Sequence, residues 1–253
     1  YESLDSIFSL YQPYLKNSSA YLPMYFLVGT DPSKSKFQIS FKYRFFDTDH
    51  LFTQSHPWLS GFHFAYTQTS FWDLNTASAP FADTSYKPEL FWISRNYLDQ
   101  SYSLLRGIFL QTGLQHESNG KGDDFSRSTN SLYARPVIIF YDEKSTYGFG
   151  LSSKFWTAID NDNETNADLD KYRGNFEIEL KTGKADNWVA GALYRWAEKG
   201  SSWQVDFSYP LHRLFYNPVD VYLYAQYVDV LAENLIDYQE RTRQLRFGIA
   251  IIR

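Results

Sequence analysis

The chain has no cysteine and a single methionine in 253 residues. Without thiols there is no disulfide framework and no thiolate chemistry. It also lacks any run of about 18 apolar residues, so it has no transmembrane helix. Positive charge is in short supply: 24 Lys and Arg stand against 29 Asp and Glu, a net charge of −5. No basic stripe meets phosphates, which argues against nucleic acid as a partner. No Pro-, Ser- or Gly-rich linker divides the chain and no internal repeat stands out, so its length reads as one domain. No secretory signal is visible at Tyr1. A secreted barrel would have lost its signal peptide before that point.

Aromatic residues are abundant. They make up 19% of the chain, with 21 Tyr and 21 Phe, yet the mean hydropathy is −0.44. Many rings among many polar residues suit a transmembrane β-barrel, with one apolar face, one polar face and aromatic girdles at both interfaces. The residues alternate accordingly. Phe37, Ile39, Phe41, Tyr43 and Phe45 interleave with Gln38, Ser40, Lys42 and Arg44. Similar runs fall at 62–66, 106–116, 130–141, 176–181, 203–209 and 245–251, with weaker ones near 20–28, 88–96, 146–157, 187–197 and 219–230. Twelve is an even count, as expected of a bacterial single-chain barrel. With the first strand rising from the periplasm, the links near 69–87, 116–130, 158–170 and 231–240 become outer loops, while 141–145 and 182–186 become tight inner turns. The inner links at 47–59 and 97–105 are longer than that pattern favours. A soluble sandwich or lipocalin-like barrel also alternates. The aromatic load and the charges on the polar faces (Lys42, Arg44, Glu177, Glu179, Arg246) favour a polar lumen. The expected fold is all-β, a twelve-stranded antiparallel transmembrane barrel over 20–253. Residues 1–19 form an N-terminal segment that is periplasmic or leads into the first strand.

On this alternation three polar residues fall on the apolar face. His116 and Ser118 share parity with Ile108, Leu110 and Leu114, opposite Gln111, Gln115 and Glu117. Asn130 shares parity with Leu132, Ala134, Ile138 and Phe140, opposite Arg135. Taken singly, His116 reads as an interfacial histidine and Ser118 as a loop serine. Together they place a serine, a histidine and an asparagine where an enzyme acting on membrane lipids would need them.

The segment His116-Glu117-Ser118-Asn119-Gly120, followed by a polar loop with Ser126-Arg127-Ser128 and then Asn130, resembles the signature of the outer-membrane phospholipase A family. The resemblance extends to 66–74, to 86–91 and to the twelve-strand layout; positions 37–253 fit, and the first 20 or so match poorly. It implies a phospholipase of the bacterial outer membrane that hydrolyses acyl esters of phospholipids and lysophospholipids. Ser118 aligns with the nucleophile, His116 with the general base and Asn130 with the residue that orients His116. The implied cofactor is calcium. Its matching ligands are Ser126, the backbone carbonyl of Lys121 and the carbonyl of Ser78 from a second subunit, and Asp123 aligns with an acidic residue of a further calcium site. The Gly120 N–H is a candidate oxyanion donor. Gln68 faces lipid, where an unpaired amide is costly, and aligns with a homodimer-interface residue. The acidic run 160–168 lacks the Gly and Glu of an EF-hand, with Thr165 and Lys171 in their places, and reads as a solvated outer loop. The rival readings are a passive porin-like channel and a catalytically inactive barrel adhesin.

Overall fold

The computed structural model describes residues 17–98, 104–162, 164–215 and 219–253. Residues 1–16 of the expected N-terminal segment lie outside the described residues, as does part of the inner link 97–105. The strands are β1 (Ser18–Ala20), β2 (Met24–Gly29), β3 (Ser35–Arg44), β4 (Phe62–Trp72), β5 (Phe81–Ile93), β6 (Leu105–Ser118), β7 (Ser128–Tyr141), β8 (Gly148–Asn161), β9 (Phe176–Gly183), β10 (Val189–Ala197), β11 (Gly200–Pro210), β12 (Tyr222–Leu231) and β13 (Arg241–Ile252). Consecutive strands from β2 onward pair antiparallel, and β13 pairs with β2 to close the sheet. β1 and β2 both lie on β3, with Ala20 opposite Phe41 and Tyr25 opposite Gln38. They are two halves of one strand, interrupted at Tyr21, Leu22 and Pro23, where Pro23 has no N–H to offer a ladder. The barrel therefore has twelve strands, as the alternation predicts.

Its polarity is inverted relative to a soluble barrel. Arg246 is 0% exposed while its neighbour Phe247 is 53% exposed. Such an arrangement is stable only where hydrocarbon bathes the outside. Inside, charges and hydroxyls satisfy one another, as burial demands. Glu89 accepts hydrogen bonds from Tyr21, Tyr133, Gln111 and Gln115. Arg135 pairs with Glu179. Glu117 is held by Ser85 and Arg173, each at 2.6 Å. These contacts line the lumen wall and leave a cavity of about 640 Å³.

The outer links differ from the sequence expectation. β4 and β5 extend so far that their link covers only 73–80, not 69–87. The polar residues from Gln68 to Ser70 and from Thr84 to Ser85 remain in the ladder. The link after β8 is not merely solvated. Asn166 is fully buried and donates to the Ser128 carbonyl and to Asn161, and a helical turn follows at Leu169–Arg173. Leu169 packs with Ala232, Leu235 and Tyr238 from the β12–β13 link. Two outer loops thus share a small apolar core. The long inner link after β3 is occupied by a helical turn, Leu51–Ser55, and a 3-10 turn, Pro57–Gly61.

Glu233 ties this outer cap to the wall, accepting from Lys36 at 3.0 Å and from Arg246 at 2.7 and 2.9 Å. Burial alone would raise its pKa. The two cations outweigh burial and hold the carboxyl at about 2. A carboxylate with a depressed folded pKa contributes stability that is fully present above its unfolded pKa and is lost as pH falls through the folded value. The contribution of Glu233 should therefore be intact above about pH 4.5 and decline towards pH 2. Glu233→Gln leaves two cations uncompensated and should cost about 3 kcal/mol at pH 7. Urea-unfolding curves across that pH range should show a steeper acid decline for the wild type than for the variant.

Candidate active site

The site grows out of the β6–β7 register. His116 lies directly opposite Asn130, and Ser118 opposite Ser128. The His116 Nδ1 to Asn130 Oδ1 distance is 2.8 Å. An amide oxygen can only accept, so in this bond Nδ1 carries the proton, which in the neutral ring leaves the lone pair on Nε2. Ser118 follows two residues along, on the same face of the strand, and no hydrogen bond joins it to His116 here. Catalytic hydrogen bonds are commonly long or misaligned without substrate and tighten when it binds.

His116 and Asn130 open onto a groove of about 430 Å³ on the outer wall, whose apolar lining includes Phe64, Pro88, Leu90, Leu114 and Ile159. Pro88 helps to make it. β5 and β6 pair at Tyr86–Ser118 and again at Glu89–Gln115, but the ladder is interrupted between them, at Lys87 and Pro88. Proline cannot donate there, so the wall loosens at the height of His116. Between the two outward residues, Glu117 points inward to Ser85 and Arg173, which anchors the strand from the lumen side.

The loop after Ser118 is folded by Asn119, which sequence reading left without a role. Its side chain is buried, donates to the Phe125 carbonyl at 2.8 Å and accepts from the N–H groups of Lys121 and Arg127. Only its place inside the Ser-Asn-Gly motif could have flagged it. Gly120 has φ +67°, and a Cβ there would stand 2.8 Å from the Tyr86 ring. Two reasons, backbone and space, therefore call for glycine.

The residues expected to hold calcium lie in two outer links. Asp123 begins a 3-10 turn, Asp123–Phe125, that Ser126 caps. Ser126 uses its carbonyl for Thr165 and Arg127, which leaves its hydroxyl for a ligand. The Lys121 ammonium turns away to the Ala82 carbonyl at 2.7 Å. Ser78 lies exposed in the β4–β5 link with φ +73°. The Ser126 hydroxyl, the Lys121 and Ser78 carbonyls and the Asp123 carboxylate are all oxygen donors and suit a hard ion. Among the described residues no cluster of three or more His, Cys, Asp or Glu could hold a metal, so such sites rely largely on hydroxyl and carbonyl oxygens.

Gln68 corrects an expectation. Its amide is not unpaired: it accepts from Tyr66 at 3.1 Å and donates to Ser70 at 3.2 Å. Polar neighbours on the same face satisfy it within the chain. It pairs across to Tyr86, which pairs in turn with Ser118. Gln68 and Ser118 are thus level, two strand spacings or about 10 Å apart.

A closed twelve-stranded barrel with an apolar exterior and a polar interior defines an outer-membrane barrel protein. A family model described as Phospholipase A1 matches residues 11–251, and the chain belongs to that family. Phospholipase A1 of Escherichia coli K12 is 30% identical over 192 residues, 74% of this chain and 60% of that protein. Its counterpart from Salmonella typhimurium is 31% identical over 193 residues, with the same coverage of 74% and 60%. The chain thus spans about 60% of the length of these relatives. The fold matches the outer membrane phospholipase dimer of Salmonella typhi, solved with bound calcium, at a TM-score of 0.72 and 24% identity over 92% of this chain and 91% of that one. Outer membrane phospholipase A from Escherichia coli gives a TM-score of 0.70 and 24% identity over 91% and 90%.

Gly120→Ala should destabilise the barrel by about 1–3 kcal/mol through the left-handed backbone alone, with a further loss from the Tyr86 contact. Urea titration of the double variant with Tyr86→Ala should recover the contact loss and leave the backbone loss.

Proposed function

We propose that the chain is a calcium-dependent phospholipase that hydrolyses acyl esters of phospholipids and lysophospholipids and is activated by homodimerisation. The observation that carries this reading is the 2.8 Å His116–Asn130 hydrogen bond on the lipid-facing wall, beside an apolar groove and two residues from an outward serine. Family membership supports it. The lumen supports it against a passive channel, since charged side chains fill and pair within it.

The chemistry is acyl transfer. His116 Nε2 takes the proton of Ser118 Oγ as that oxygen attacks the ester carbonyl. The same proton then goes to the departing lysophospholipid alkoxide. Water, deprotonated by His116, then attacks the acyl carbonyl on Ser118; the C–Oγ bond breaks, the fatty acid leaves and the proton on His116 returns to Ser118 Oγ. Asn130 holds the imidazole in the tautomer that makes this possible. Calcium held by Ser126, Lys121 and the partner subunit's Ser78 would supply positive charge near the oxyanion, and the Gly120 N–H is positioned in the loop that follows the nucleophile. Asp123 would serve a further calcium site.

Gln68 supports dimerisation. An amide offers two donor hydrogens and two acceptor lone pairs, and Tyr66 and Ser70 use one of each. The remaining capacity faces lipid at the height of Ser118, where a second copy could satisfy it. Two barrels meeting there would wall the groove above each nucleophile.

Ser118→Ala should lower the rate of fatty-acid release from mixed micelles by about 10⁴–10⁶ while the barrel stays folded. Asn130→Ala should cost less, since Asn130 only orients the base. A Ser118→Ala protein that retains a few per cent of activity, judged beside its intact heat-resistant band on a gel, would refute the assignment.

Linkage requires calcium to favour the dimer as much as dimerisation favours calcium. Cross-linked dimer and activity should therefore rise together on calcium titration, and Gln68→Ala should move both to higher calcium. Full activity in a calcium-loaded sample that sediments as a monomer would contradict this account.

A further inference from the structure

Asn130 has a second partner. Its Nδ2 donates to Asp160 Oδ2 at 3.1 Å, while its Oδ1 faces His116. Asp160 reaches that place through an irregularity in the β7–β8 ladder. Ser131 pairs with Ala158, so regular register would set Ile159 opposite Asn130. Instead the register shifts by one and Asp160 stands there. The extra residue, Ile159, joins Asp160 in lining the groove. Without this bulge, strict alternation would turn Asp160 to the opposite face of the strand.

We propose that Asp160 is a positioning residue that fixes the Asn130 amide and, through it, the tautomer of His116. This rests on the catalytic reading given above. An asparagine amide is nearly symmetric in shape and can turn either its oxygen or its nitrogen to an imidazole. An ionised carboxylate only accepts, so it holds the nitrogen. The oxygen is then committed to His116 Nδ1–H, and Nε2 is left as the acceptor for Ser118. The carboxylate also polarises the amide along the hydrogen-bonded chain and supplies a negative charge that a neutral asparagine lacks when the imidazolium forms. Asp160 is exposed at the lip of the groove, so solvent screens this charge and the effect falls short of that of a buried aspartate in a Ser-His-Asp triad. No other carboxylate takes this role among the groove-lining residues. Glu89 is engaged by Tyr21, Tyr133, Gln111 and Gln115, and Glu117, next to His116, is bound by Ser85, Arg173 and Lys87.

The test compares the full chain with Asp160→Ala and Asp160→Asn in detergent micelles with calcium. Asp160→Ala should lower kcat about 10- to 100-fold with KM unchanged. Asp160→Asn keeps an acceptor oxygen and should recover part of that loss. The decisive readout is independent of activity. Nitrogen-15 NMR of the His116 ring, assigned by its absence in His116→Asn, should show one Nδ1–H tautomer in the wild type. The two tautomers should mix in Asp160→Ala, and the single one should be largely restored in Asp160→Asn. Unchanged kcat and a single tautomer in both variants of an active enzyme would overturn the role of Asp160 and leave the reaction standing. A wild type that releases no fatty acid, yet loses its single tautomer in Asp160→Ala, would overturn the reaction and uphold the positioning.

Discussion

The register between β6 and β7 is the constraint on which the site depends. His116 meets Asn130 only because the strands pair as they do; a slip of one residue would send either side chain into the lumen. The lumen itself enforces the register. Gln111, Gln115 and Glu117 alternate with the outward residues and engage Tyr133, Glu89 and Arg173. Each inward contact would be broken by a slip, and each would then leave a polar group unpaired in a poorly solvated interior. Interior electrostatics thus set the geometry of the candidate site on the exterior wall.

The exterior obeys a different rule. Hydrocarbon offers no hydrogen bonds, so polar groups there need partners within the chain. His116, Asn130 and Asp160 form one such chain, and Tyr66, Gln68, Ser70 and Thr84 form another. Both lie towards the outer loops, where the wall is interrupted at Pro88 and shifted at Ile159. Two local departures from regular β-structure flank the candidate base, one opening the ladder and one re-aiming a carboxylate. The outer cap of Leu169, Leu235 and Tyr238 stands above the same end. It carries Arg173, which grips Glu117 behind the active strand.

Much of this was legible in the sequence. Period-two alternation revealed all twelve strands, because a barrel wall with lipid on one side and a polar lumen on the other repeats that period in every strand. The outward parity of His116, Ser118 and Asn130 followed from the same count. The rest depended on events that break the period. The shift at Ile159 adds one residue to β8, so Asp160, read as part of an acidic outer loop, comes to face Asn130. Asn166 looked like one more polar loop residue, but its burial comes from contacts with Ser128 and Asn161 that composition does not encode. Gln68 appeared unpaired because a period of two identifies the face and not the rotamers that link Tyr66, Gln68 and Ser70 along it.

The central claim is that Ser118, on the outside of the barrel, is the nucleophile. The most direct measurement is covalent labelling with a long-chain sulfonyl fluoride, followed by peptide mass mapping and residual-activity assay. The account predicts a single sulfonyl adduct on Ser118, formed in step with loss of activity and absent from the His116→Asn protein. Loss of activity with the adduct on another residue, or a fully active protein carrying sulfonylated Ser118, would contradict it.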